Sequence, residues 1–365
     1  MDNNSIEGGQ LIRKGFGLKQ VVEDDLIRDY HSGIVSKIIE AGNLYSEKDV
    51  TFHLARQFGF CYGVDRAVDL AYETRKRFPD RRIFLTAQII HNPRVNKNLS
   101  EMGIRFLEDY SGVQKNDVVV LPAFGATASQ IRMLQERGFT SMIHGKYYHE
   151  ETLATSSRVL RFPEGRYLVV FDMEETESVC RYIEKGGDRA KFLERFEKQV
   201  SPGFDPDLDL ARIGVANQTT MLMSESLAIS EKIKKSFVKK YGEEKLALHF
   251  RNFDTICSAT EDRQNAMKDL IEKEFDLMIV IGGFNSSNTN QLAKIAAARV
   301  KTYHIEDKGC LVSASRIRHK PVGKFEAMVE ENWLPPGKIQ IGITSGASTP
   351  NQVMGDVIER ILSFR

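Results

Sequence analysis

The chain has 365 residues, 41% hydrophobic and 28% charged, and a net charge of +1. That length supports two or three α/β domains with sizeable cores, and its interspersed acids and bases leave no electrostatic footprint for nucleic acid or an anionic membrane, so a small-molecule partner is expected. No apolar run reaches a bilayer span, and Met1-Asp2-Asn3-Asn4-Ser5 has neither secretion-signal nor transit-peptide character, so the expected location is cytoplasmic.

Residues 1–49, through Lys14-Gly15-Phe16-Gly17 and the Ile34 to Ile39 stretch, read as a helical extension ahead of the main fold. From Val50 onward, short apolar runs alternate with amphipathic stretches, which is the βαβ pattern of a mostly parallel sheet. The strands predicted are Ile83 to Thr86, Val118 to Leu121, Ser141 to His144, Tyr167 to Phe171, Ile213 to Ala216, Leu277 to Ile281 and Ile339 to Ile343. Val64, Ala67, Val68 and Ala71 form one helical stripe, and Ala266, Leu270 and Ile271 another. The Gly-, Pro- and charge-rich segments 185–210 and 307–336 read as surface insertions.

Four cysteines in a chain this long make no disulfide framework, and no Cys-X-X-Cys pair signals zinc or a thioredoxin-like site. Cys61, in Gly59-Phe60-Cys61-Tyr62-Gly63-Val64, and Cys257, in Asp254-Thr255-Ile256-Cys257-Ser258-Ala259-Thr260, each precede a helical pattern. A thiol there faces free N–H groups and the positive end of the dipole, which favours metal binding or redox chemistry. Cys180 shares a helical face with Val179 and Ile183 and reads as core, whereas Cys310 is compatible with burial or with an exposed turn.

After the Leu277 to Ile281 strand, Gly282-Gly283-Phe284-Asn285-Ser286-Ser287-Asn288-Thr289-Asn290 leads into a helix. Glycines permit the tight turn, and hydroxyl and amide side chains beside the first helical N–H groups make a neutral anion cradle, beyond what one N-cap requires. Gly342-Ile343-Thr344-Ser345-Gly346-Ala347-Ser348-Thr349-Pro350 repeats the arrangement, with Ser348 as a further donor. His91, His144 and His149 follow apolar runs, at strand ends where α/β sheets place ligand sites. In His149-Glu150-Glu151 a carboxylate beside an imidazole is a proton-relay pattern, and Thr219 in Asn217-Gln218-Thr219-Thr220 is a candidate to hold a substrate hydroxyl or to cap a helix.

Eight motifs taken in order resemble the 4-hydroxy-3-methylbut-2-enyl diphosphate reductases, the LytB or IspH proteins, over about Gly15 to Leu362. They are Gly59-Phe60-Cys61-Tyr62-Gly63-Val64, Ile90-His91-Asn92-Pro93, Pro122-Ala123-Phe124-Gly125, the run from His144 to Glu151, Asn217-Gln218-Thr219-Thr220, Asp254-Thr255-Ile256-Cys257, Asn285-Ser286-Ser287-Asn288 and Thr344-Ser345-Gly346-Ala347-Ser348. Phe124 and the long N-terminus resemble the plant and cyanobacterial branch.

The resemblance implies an α/β trefoil of three domains, here 50–138, 139–256 and 257–365, around a [4Fe-4S] cluster held by three cysteines. It implies reductive removal of the allylic hydroxyl of 4-hydroxy-3-methylbut-2-enyl diphosphate, giving isopentenyl and dimethylallyl diphosphate, with ferredoxin or flavodoxin as electron donor. Carried over by position, Cys61 and Cys257 are cluster ligands, His91, His149, Ser286, Ser287, Asn288 and Ser348 hold the diphosphate, and Glu151 and Thr219 pass a proton.

One departure matters. The family pattern has a middle cysteine between the Pro-Ala-Phe-Gly and His-Gly-Lys-Tyr motifs, but this chain has none between Cys61 and Cys180. Glu136-Arg137-Gly138 runs straight into Phe139-Thr140-Ser141-Met142-Ile143-His144, so a βα unit is read as deleted. A cluster-deficient, diphosphate-binding form is the alternative expectation. A mononuclear metal hydrolase built on His91, His149 and Glu151 is a third, without a metal-ligand spacing to support it.

Overall fold

The computed structural model describes residues 11–12, 15–123, 126–127, 132–134, 136, 140–142, 147–148, 158–161, 166–217, 220–252 and 256–365. The chain divides into two compact units, Met1–His149 with Asp262–Arg365, and Glu150–Glu261. No described helix is long and apolar enough to cross a membrane.

In chain order the first unit holds β1 (Leu11–Ile12), α1 (Lys19–Tyr30), α2 (Gly33–Glu40), β2 (Leu44–Glu47), β3 (Val50–Leu54), α3 (Tyr62–Arg77), β4 (Ile83–Leu85), α4 (Pro93–Glu101), β5 (Ile104–Phe106), β6 (Val118–Val120), β7 (Ala126–Thr127), β8 (Thr140–Met142) and β9 (Tyr147–Tyr148). The second unit contains β10 (Arg158–Arg161), β11 (Tyr167–Val170), α5 (Met173–Lys185), α6 (Arg189–Arg195), α7 (Pro206–Asp209), β12 (Ile213–Asn217), α8 (Met223–Tyr241), α9 (Leu246–His249) and β13 (Phe250–Asn252). Then follow α10 (Ser258–Leu270), β14 (Leu277–Ile281), α11 (Ser287–Ala297), β15 (Thr302–Ile305), β16 (Arg316–His319), β17 (Met328–Glu331), β18 (Ile339–Ser345) and α12 (Asn351–Leu362).

All seven predicted strands are present, within a few residues of their predicted ends. In the first unit, one sheet runs β1-β8-β6-β4-β5, entirely parallel. The other runs β15-β14-β18-β3-β2, parallel except for the edge strand β2. Continuous apolar runs such as Leu277–Ile281 and Val118–Val120 are buried throughout, as parallel strands covered on both faces require. The second unit carries a four-stranded sheet, β11-β10-β12-β13, in which β10 is antiparallel to both neighbours.

Three expectations are corrected. The N-terminal extension, 1–49, is helical over α1 and α2, but it also supplies strands to the sheets of the first unit, β1 pairing with β8 and β2 with β3. Segment 185–210 is no surface insertion: Phe192, Phe196, Phe204 and Leu210 belong to the core of the second unit, where they pack with Cys180. Segment 307–336 contributes Cys310, Leu311, Ile317 and the fully buried Trp333 to the core of the first unit, beside the β16–β17 hairpin. High local charge and glycine content had hidden these widely spaced aromatic anchors.

The extension is tied down by a buried carboxylate. Glu73 of α3 accepts the Phe16 N–H at 2.7 Å, the Leu18 N–H at 3.3 Å and Arg66 Nη1 at 2.9 Å. Burial opposes its charge, but these hydrogen bonds prevail and hold its pKa below the usual glutamate value.

Candidate functional site: a polar cradle at the carboxyl edge of a parallel sheet

β3, β18 and β14 run parallel and in step, with Leu54 opposite Ile343 and Ile281 opposite Ser345. The loops that follow them therefore leave the same edge, where ligand sites of open α/β sheets form. They are tightly cross-linked. Gly59 N–H donates to Ser345 Oγ at 2.9 Å, Cys61 N–H to Ala347 O at 3.1 Å and Gly346 N–H to Ile281 O at 2.9 Å. Arg263 of α10 donates from Nη2 to Gly59 O at 2.8 Å.

The loop after β14 forms the cradle. Ser286 caps α11, accepting the Thr289 N–H at 3.4 Å and the Thr289 hydroxyl at 3.0 Å, which leaves its own hydroxyl proton without an acceptor among the described residues. Asn288 Oδ1 accepts the Ala347 N–H at 3.0 Å, which turns Nδ2 the other way. That Nδ2 and Ser348 Oγ are buried without a hydrogen-bond partner among the described residues. Unsatisfied buried donors cost about 1–3 kcal/mol each and call for an explanation; an anion at the N-terminus of α11 supplies one.

Glycine is required where these loops touch. A Cβ on Gly346 would lie 2.1 Å from Thr289 Oγ1, and one on Gly283 would lie 2.7 Å from the carbonyl oxygen of His91. Gly283 therefore lets the loop before α4 approach the cradle through the His91 backbone. The His91 side chain is exposed, with Nδ1 at 3.3 Å from Gln88 Oε1, and partial desolvation holds its pKa below the ordinary histidine value.

Ser286, Ser287, Asn288 and Ser348 are thus brought together in the first unit, with the His91 backbone beside them. Cys61 is the half-buried N-cap residue of α3. Cys257, in the second unit, is exposed immediately before α10, and its Sγ lies 3.0 Å from Thr260 Oγ1. Both cysteines stand at helix starts, as expected. His149, Glu151 and Thr219 lie outside the described residues.

Sequence reading overlooked Thr289, Thr349 and Arg263 as builders of the cradle. Thr349 donates its hydroxyl to Ile281 O at 3.2 Å, bracing the strand end. The paired glycine turns at 282–283 and 346 were the available signal, because closely approaching backbones need small residues.

A cluster held by three cysteines needs three thiolates at one point. Cys180 and Cys310 are buried in the cores of the two units, with burial raising both thiol pKa values, so neither stands ready as the third ligand. Among the described residues no group of three or more His, Cys, Asp or Glu side chains is placed to hold a metal ion. The residues present do not fit the three-thiolate set.

The model of the family described as "LytB protein" matches residues 52–140 and 126–362. The two stretches overlap over residues 126–140. The 4-hydroxy-3-methylbut-2-enyl diphosphate reductase of Cyanothece sp. is 45% identical over 389 aligned positions, covering 98% of this chain and 95% of its own. That alignment is longer than the 365-residue chain, so the relative carries residues without a counterpart here. The reductase of Thermosynechococcus vestitus is 46% identical over 97% of this chain and 94% of its own. The structure of E-1-hydroxy-2-methyl-but-2-enyl-4-diphosphate reductase from Plasmodium falciparum shares the fold, with a TM-score of 0.52 at 21% identity, over 84% of this chain and 86% of that one. The chain belongs to the LytB family, that of the 4-hydroxy-3-methylbut-2-enyl diphosphate reductases.

Proposed function

We propose that this chain binds 4-hydroxy-3-methylbut-2-enyl diphosphate and carries out its two-electron, two-proton reductive dehydroxylation to isopentenyl and dimethylallyl diphosphate, releasing water. The observation that carries the reading is the pair of buried groups, Asn288 Nδ2 and Ser348 Oγ, unpartnered among the described residues and beside the N-terminus of α11. A diphosphate presents several strong acceptors, and Asn288 Nδ2 and Ser348 Oγ are neutral donors suited to them. His91, His149, Ser286, Ser287, Asn288 and Ser348 hold the diphosphate in this reading, and Glu151 with Thr219 conducts a proton to the departing oxygen.

Three α/β domains, bounded as the motifs divide the chain, would carry these residues. A cytoplasmic location and a ferredoxin or flavodoxin donor complete this reading. Cys61 and Cys257 are the two cysteines at family ligand positions for the [4Fe-4S] cluster, and the chain lacks the third.

The test is product formation from the allylic diphosphate by anaerobically reconstituted full-length protein with dithionite or reduced ferredoxin, alongside iron analysis and calorimetric titration with inorganic diphosphate. Turnover abolished by Cys61→Ser and Cys257→Ser is the expected result. Diphosphate binding without turnover or iron would replace the reductase by a cluster-deficient binding form. Absence of diphosphate binding would remove the cradle itself.

A further inference from the structure

The peptide groups that shape the cradle are held from outside the cradle motif. His304 of β15 donates Nε2–H to Gly282 O at 2.9 Å, and Glu306 Oε1 accepts the Phe284 N–H at 3.2 Å. Lys320, just past β16, donates Nζ to Phe284 O at 2.6 Å; that carbonyl also accepts Asn290 Nδ2 at 3.1 Å. The Phe284 ring is gripped on two sides. The Arg318 guanidinium stands 5.5 Å from its centroid, and the His304 ring meets it edge-on at 5.3 Å.

The hairpin that supplies Arg318 and Lys320 is itself locked to β15. Lys320 N–H donates to His304 O at 2.9 Å, while Glu330 accepts Tyr303 Oη–H at 3.0 Å and pairs with Lys301 at 2.7 Å. On the other side of the loop, the His91 carbonyl sits where a Gly283 side chain would be. The turn is thus held between the His91 backbone and the hairpin.

Resting on the diphosphate reading of the cradle, we propose that the β16–β17 hairpin is a positioning element for it and that Lys320 is the principal positioning residue. Its ammonium fixes the Phe284 carbonyl, and thereby the direction in which Ser286, Ser287 and the first N–H groups of α11 point at the anion. It acts through the backbone and does not itself touch the ligand. A charge-assisted hydrogen bond in a half-buried setting is strong enough to select one loop geometry over its neighbours.

The experiment is calorimetric titration of the full chain with inorganic diphosphate, with melting temperature measured in parallel. Lys320→Met is expected to weaken affinity about tenfold, the loss that one missing charge-assisted hydrogen bond supports, with Lys320→Arg recovering most of it. Arg316→Ala, which removes the exposed Arg316–Glu331 pair of the same hairpin (2.8 Å) away from Phe284, serves as control and is expected to bind normally. Equal affinity of the wild type and Lys320→Met overturns the positioning role alone. Equal losses in Lys320→Met and Arg316→Ala, tracking the melting temperature, overturn it as well, because the hairpin would then act only through stability. A wild type that does not bind diphosphate overturns the cradle reading and this inference with it.

Discussion

Replacing Asn288 probes the cradle most directly, because its two amide atoms have opposite fates. Oδ1 holds the Ala347 N–H at 3.0 Å, joining two loops, while Nδ2 is buried and unpartnered among the described residues. In Asn288→Ala, the stranded Ala347 N–H costs about 1–3 kcal/mol, but removing an unsatisfied amide returns a similar amount, so the melting temperature is expected to shift little. Binding has no such compensation. Losing one hydrogen bond to a charged ligand costs about 1.5–3 kcal/mol, a roughly ten- to hundredfold rise in Kd for inorganic diphosphate. Asn288→Asp keeps an acceptor for Ala347 and places a carboxylate near the helix N-terminus, where the dipole favours it. It also sets like charges together, worth up to about 4 kcal/mol at 4 Å and an effective dielectric of 20, so its loss should exceed that of alanine. Calorimetry with diphosphate and thermal melts of the three proteins decide the matter. Affinities within threefold of one another would refute the argument that Nδ2 faces the anion.

Three further outcomes follow from the same geometry. Burial pushes His304 down to about 4 from the ordinary 6.5, so between those values the unfolded chain takes up the extra proton and stability falls as pH falls, by up to about 3 kcal/mol; His304→Gln should flatten urea-midpoint profiles between about pH 6.5 and pH 4, and an unchanged slope would contradict the assignment. In thiol titration of the native protein, Cys257 and Cys61 should react while Cys180 and Cys310 wait for denaturant; rapid labelling of all four would reopen the search for a third ligand. Glu73→Ala removes the acceptor shared by Arg66 and two backbone N–H groups, at a cost of about 1.5–3 kcal/mol; faster tryptic cleavage at Lys19 than in the wild type is expected, and unaltered protection would show that the extension is held elsewhere.

Much of this protein was legible along the chain. Apolar runs such as Leu277–Ile281 pointed to buried strands, and the glycine turn before Ser286 pointed to a helix start with polar side chains beyond the one a cap requires. The absent middle cysteine was equally a property of the sequence alone, since no folding supplies a residue the chain lacks. What tertiary structure decided was which distant groups meet. Pairing of β3 with β18 set Gly59 and Cys61 against Ser345 and Ala347, nearly 290 residues away in sequence. Phe192, Phe196 and Trp333 became core although their neighbours are polar, and Lys320 became the brace of a loop thirty-six residues earlier. Periodicity reports how each segment presents itself to a core, because burial of its own side chains sets that pattern. Which segment arrives opposite it is set by sheet order and register, which depend on the sum of contacts along whole strands and appear in no local run of residues.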